Sequence, residues 1–153
     1  MAMLTKNRSK LLLGAGPMAL AVSLSFPTEK AQAQAQATED FVVGSGFVGG
    51  TFGDTVFVDS QTTVIDWTPD EDGSGNALVF LPNTNNLIFD GTNTGGPDFA
   101  VLNRILPSAN GTITQIDGSV SSGFDNSGTF ETGGTIAFFS PTGLIIGSTA
   151  TFD

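Results

Sequence analysis

Residues 134–147 read Gly-Thr-Ile-Ala-Phe-Phe-Ser-Pro-Thr-Gly-Leu-Ile-Ile-Gly, two short apolar runs joined by a Pro-Thr-Gly corner. Ile136-Ala-Phe-Phe139 is apolar at every position, so both faces of that segment need cover. Ala77-Leu-Val-Phe-Leu81 has the same character. Thr55-Val-Phe-Val58 and Thr112-Ile-Thr-Gln-Ile116 alternate instead, the pattern of a strand covered on one face. Further strands are expected at residues 41–43, 62–67, 86–89, 99–106 and 144–146. Residues 148–153 read as the start of another strand with no partner after it. Each run is rich in Val, Ile, Thr or Phe and is bounded by Gly, Asn, Asp, Ser or Pro. No window carries a 3.6-residue period. The fold class is therefore all-β.

Strands covered on both faces suit parallel sheets, whose neighbours are usually joined by helical crossovers. With no helix on offer, the remaining parallel solution is a β-helix, in which the chain coils and successive rungs stack. Solenoid repeats run to about 20–50 residues, so residues 38–153 would make a few rungs. A sandwich would favour regular alternation and two-residue hairpin turns. Residues 66–76 (Asp-Trp-Thr-Pro-Asp-Glu-Asp-Gly-Ser-Gly-Asn) read as a loop insert. Residues 91–98 and 123–134 read as further loops, and 38–53 as an edge or cap strand.

The N-terminus is not fold material. Lys6, Arg8 and Lys10 precede an apolar stretch from Leu11 to Phe26, and Ala31-Gln-Ala-Gln-Ala-Gln-Ala37 offers overlapping Ala-x-Ala cleavage sites. This is the pattern of a secretory signal peptide, assigned to residues 1–37. A membrane-spanning helix would need about 20 apolar residues with few breakers, whereas Gly14, Gly16 and Pro17 interrupt this one. Removing the leader takes away Lys6, Arg8, Lys10, Lys30 and Glu29. Of five basic and fifteen acidic residues, Arg104 and fourteen acids remain, a net charge of −13. Such a chain cannot neutralise phosphates, which excludes nucleic acid and anionic lipid as partners.

Side-chain chemistry for catalysis is sparse. The chain has no His, Cys or Tyr, so neither a Ser-His-Asp triad nor a Cys-His pair can be built. The acids sit mostly in turns, with no pair set apart for glycoside hydrolysis. A non-enzymatic protein without a cofactor is expected. Asp70, Asp72 and Asn76 place oxygens at alternate positions beside a glycine turn, as calcium requires. Position 81 is Leu, so no EF-hand loop is present, and a solvated acidic turn is the competing reading. An acidic extracellular module binding calcium or glycans is the alternative function. Asn110-Gly-Thr112 matches a glycosylation acceptor. Trp67, beside the acidic loop, is expected in the core or as a lid. Arg104 lies inside an apolar strand, where a guanidinium must be paired. An internal tie to an acid or to carbonyls competes with a recognition role.

Val101-Leu-Asn-Arg-Ile105, Ile116-Asp-Gly-Ser-Val120 and the stretch 134–147 resemble, in order and spacing, the N-terminal two-partner-secretion domain of filamentous-haemagglutinin-like exoproteins. There a V-x-N-R-V strand precedes an I-x-G-x-(I/V) strand, a G-x-V-x-(F/L) strand and an Asn-Pro-Asn-Gly-Ile corner. The corner here is Ser140-Pro141-Thr142-Gly143-Leu144, which keeps the Pro and Gly that set the turn. The resemblance covers residues 99–153 and implies a right-handed parallel β-helix with an N-terminal cap, incomplete at its C-terminal end. It further implies export through the periplasm to the cell surface or beyond. The partner would be an outer-membrane β-barrel transporter, with host or cell-surface receptors for the adhesin that the domain leads. Val101, Asn103, Arg104, Ser140, Pro141, Thr142, Gly143 and Leu144 are the expected transporter-recognition residues, presenting a strand edge and a turn.

Overall fold

Branched and aromatic residues fit a pleated, half-buried surface, and here they place strands along the whole of the described chain. The computed structural model describes residues 35–50, 54–70 and 78–153. Residues 1–34 of the expected leader, Asp72, Asn76 and the rest of 71–77 lie outside them. The strands are β1 (Ala37–Val43), β2 (Gly46–Gly49), β3 (Thr55–Val58), β4 (Thr62–Pro69), β5 (Leu78–Leu81), β6 (Asn86–Asp90), β7 (Ala100–Ile105), β8 (Thr114–Ile116), β9 (Ser119–Asn126), β10 (Thr129–Thr132), β11 (Thr135–Phe139), β12 (Leu144–Ile146) and β13 (Thr151–Phe152). One 3-10 turn, Thr92–Thr94, interrupts the loop before β7. There is no α-helix among the described residues.

Three sheets form. Sheet A has the order β1-β4-β7-β11, sheet B the order β2-β3-β6-β9-β10 with β13 also on β9, and sheet C the order β5-β8-β12. Except for β1, β2 and β10, every neighbour pair is parallel. The chain therefore visits sheets B, A and C in turn: β3-β4-β5, then β6-β7-β8, then β9-β11-β12, and returns to B in β13. Thr62, Ala100 and Thr135 stand in register, 38 and 35 residues apart. Leu78, Thr114 and Leu144 follow at 36 and 30, and Asn86, Ser119 and Thr151 at 33 and 32. These spacings lie in the range of about 20–50 residues typical of stacked repeats.

In-register stacking puts like positions over one another. Leu87 lies beside Val120, Val56 beside Phe89, and Leu81 beside Ile116, all buried. Corners allow this only where the backbone gives room. Phe99, 2% exposed, occupies the space that a side chain on Gly91 or on Gly134 would need, and Gly134 has a φ of 84°. The left-handed region costs glycine little and other residues more.

Residues 35–50 run against the coil around its first turn. Gln36 N–H donates to the Phe80 carbonyl on the edge of sheet C, 2.8 Å. β1 then pairs antiparallel with β4 in sheet A, and β2 antiparallel with β3 in sheet B. The expected edge or cap strand at 38–53 is thus two antiparallel strands, and the sheet begins ahead of Thr38, at Ala37.

Two expected loops need correction. Residues 123–134 are largely a hairpin: β9 runs on to Asn126 and turns through Ser127 (φ 57°) and Gly128 (φ 91°) into β10. Two positive φ angles in a two-residue loop make the primed turn that suits strand twist. β10 is exposed throughout and the hairpin tip, residues 125–129, is polar, so the alternating apolar signature of a strand is missing there. In the expected insert at 66–76, residues 66–69 belong to β4. The final run has its partner one coil earlier, Thr151 beside Ser119 and Phe152 beside Val120.

Phe89, fully buried, and Phe47, 54% exposed on the outer face of sheet B, test this inside–outside assignment. Phe89→Ala should lower stability by about 3–5 kcal/mol in urea unfolding. Phe47→Ala, which loses a stacked contact with Phe57 at 4.7 Å, should cost less than about 1.5 kcal/mol.

Candidate functional site

β7 lies between β4 and β11, so its side chains alternate between the interior and the outer face of sheet A. Val101, Asn103 and Ile105 point inward and are buried; Leu102 and Arg104 point outward. The V-x-N-R-I stretch is therefore split between two environments.

Asn103 is fully buried, and a buried amide is costly unless it is hydrogen-bonded. Its Oδ1 accepts a hydrogen bond from Trp67 Nε1–H at 2.9 Å. The indole is donor only, so the amide oxygen must face it. The Nδ2 donates to the Ala137 carbonyl at 3.2 Å. Trp67 belongs to the first coil, Asn103 to the second and Ala137 to the third, so one amide ties all three. Trp67 is itself fully buried, a core residue, edge-on to Phe80 with ring centroids 5.5 Å apart.

Arg104 does not sit in the core, as its apolar neighbours suggested. Its side chain is 41% exposed on the outer face, and Asp66 is its register partner in β4. Nε donates to Asp66 Oδ1 at 2.6 Å and Nη2 to Oδ2 at 2.7 Å. This is the bidentate fork that guanidinium geometry favours. The hydrogen bond to Asp66 holds the guanidinium pKa above its ordinary value, with the carboxylate charge adding to it. On the other side of Arg104 the register partner is Phe139, 54% exposed. Asp66, Arg104 and Phe139 thus make one outward row across three strands.

The chain turns directly after Phe139. Gly143 N–H donates to the Ser140 carbonyl at 3.2 Å, which closes a turn with Pro141 at its first central position. The hydroxyls of Ser140 and Thr142 lie 3.1 Å apart. Gly143 has a φ of 102°, and its carbonyl accepts from Thr114 N–H in the second coil at 3.2 Å. Leu144 then opens β12 beside Thr114. Pro141 is exposed.

Of the expected recognition residues, Arg104, Ser140, Pro141, Thr142 and Gly143 lie at or beside one corner between sheets A and C. Val101 and Asn103 face the interior. Leu144 is partly buried and packs against the core. Phe139 joins the surface group although sequence reading passed it over. Ile136-Ala-Phe-Phe139 is uniformly apolar, so only strand register tells its outward side chain from its inward ones. Of the calcium candidates, Asp70 uses its backbone N–H to bond the Gln36 carbonyl at 2.9 Å. Among the described residues no three acids, histidines or cysteines come close enough to hold a metal ion. No helix among them is long and apolar enough to cross a membrane.

No family model, curated protein or solved structure matches the chain.

Two variants separate the inner role from the outer one. Asn103→Leu leaves the indole N–H of Trp67 buried without an acceptor, which should cost about 1–3 kcal/mol in chemical denaturation. Arg104→Ala should cost less than Asn103→Leu, and the difference from wild type should shrink at high salt, because exposed ion pairs are screened.

Proposed function

We propose that this chain is a non-enzymatic, secretion-targeting head module of a filamentous-haemagglutinin-like exoprotein, read by an outer-membrane β-barrel transporter. Its fold in this reading is a right-handed parallel β-helix, the hand that parallel crossovers take in about 98% of cases. The observation that carries the proposal is the polarity of the coil. Antiparallel β1 and β2 close the edges of sheets A and B at the first turn. At the last turn the side chains that stack over the core stay partly or largely open. Ile136 lies over Val101, Phe138 over Asn103, Leu144 over Thr114, Ile146 over Ile116 and Phe152 over Val120. Ile146 and Phe152 are each 51% exposed. A recess of about 270 Å³ opens there between Val120, Ile136 and Phe152. One end is covered by antiparallel strands and the other presents apolar surface and strand edges, a polarity that supports the reading of a head module.

The resemblance gives the transporter the corner at Ser140–Pro141–Thr142–Gly143 and its neighbour Arg104. The geometry adds Phe139 to that surface, and an exposed aromatic beside a rigid turn and a fixed cation makes a compact anchor. Val101 and Asn103 act in this reading through the fold. The net charge of −13 left after leader removal keeps the exported chain soluble.

The proposal is tested by fusing a reporter after Asp153 and following its release with and without a co-expressed two-partner-secretion transporter. Release should depend on the transporter. Phe139→Ser and Pro141→Ala, each checked for a native circular dichroism spectrum, should reduce it about tenfold, the factor that about 1.4 kcal/mol of recognition free energy sets. Transporter-independent release, or folded variants that release normally, would sink the idea.

A further inference from the structure

Three overlapping cleavage sites end at Ala33, Ala35 and Ala37, and the fold separates them. We infer that the leader is cut between Ala33 and Gln34, so that the exported chain begins at Gln34. This rests on the export reading above.

The residues just after Ala33 are structural. Ala35 is 1% exposed and Ala37 7% exposed, and both belong to the core cluster. Between them Gln36 uses both of its backbone groups: its N–H donates to the Phe80 carbonyl at 2.8 Å, and its carbonyl accepts from Asp70 N–H at 2.9 Å. Ala37 is the register partner of Pro69 at the end of β4. Residues 35–37 therefore cover the outer edge of sheet C and join it to sheet A. A cut after Ala37 removes all of this and bares the edge of β5, an unpaired edge of the kind that proteins normally protect. A cut after Ala35 removes a buried methyl and turns the Gln36 amide into a charged terminus beside Phe80. Only the cut after Ala33 leaves the cap whole.

The leader's own layout agrees. Pro27 ends the apolar stretch, and seven residues, 27–33, separate it from the first site, against eleven, 27–37, for the last. Secretory leaders run to about 15–30 residues, so the first site is the nearest to ordinary length. The reaction is hydrolysis by a membrane-bound signal peptidase. The Ala33–Gln34 amide bond breaks, water supplies hydroxyl to the Ala33 carbonyl and a proton to the Gln34 nitrogen. The new terminal glutamine can then cyclise with loss of ammonia.

The test expresses the full chain in a Gram-negative host and reads the N-terminus of the exported product by intact mass and peptide mapping. A product beginning at Gln34, free or cyclised, is the expected result. An exported product beginning at Gln36 or Thr38 overturns the assignment while leaving export intact. A product that keeps its leader in the cytoplasm overturns the export reading and the site together. Independently, a chain started at Thr38 should unfold at least about 5 °C below one started at Gln34, the shift that about 1 kcal/mol produces in a domain of this size. Equal midpoints overturn the inference.

Discussion

The amide of Asn103 has no water to bond to, so its two polar ends must find partners inside the protein, and each partner comes from a different coil. A slip of β7 by one residue would turn Asn103 outward and Arg104 inward, because strand side chains alternate. It would leave the indole of Trp67 without an acceptor and separate Arg104 from Asp66. The interior amide and the exterior ion pair thus specify the same register from opposite faces of sheet A. An apolar stack tolerates sliding better, since one branched side chain packs on another nearly as well. Among the described residues no buried side-chain polar atom lacks a partner, so this polar tie carries no unpaired group with it.

The aromatic residues extend the same logic along the coil. Phe138 packs edge-on to Phe80, Phe89 and Phe152, with ring centroids 6.3–6.4 Å apart. Partly buried against the core, it joins sheets A, B and C. Strands of successive passes through the three sheets are joined through these contacts as well as through backbone ladders. The cap formed by residues 35–50 ends these ladders at one end by pairing against the coil direction.

Legibility in the sequence followed the kind of signal each element carries. β3, β7 and β12 are marked by branched and aromatic residues between turn formers, and their positions could be read directly. The β9–β10 hairpin could not, because the residues at its tip, 125–129, are polar and exposed and only the positive φ angles of Ser127 and Gly128 disclose the turn. Arg104 was legible as a residue in need of a partner, an acid or carbonyls. Its outward direction was not, since Leu102 shares that face and polar Asn103 takes the inward one, which hides the alternation. Phe139 was hidden because Ile136-Ala-Phe-Phe139 is uniformly apolar. The corner at Ser140–Leu144 was legible because Pro141 fixes its own φ and Gly143 admits the positive φ that the turn needs.

The sequence by itself determined the all-β class, the acidic character, most strand positions and the turn residues, because these depend on local propensity and composition. Tertiary structure alone decided which strands pair, that the coil passes through the three sheets in turn, and that Asn103 reaches both Trp67 and Ala137. It also decided that Phe139 joins Arg104 and that Ala35–Ala37 belong to the cap. The parallel pairings among them depend on register between segments 30 or more residues apart. Burial of one segment against another sets that register, and no local pattern encodes it.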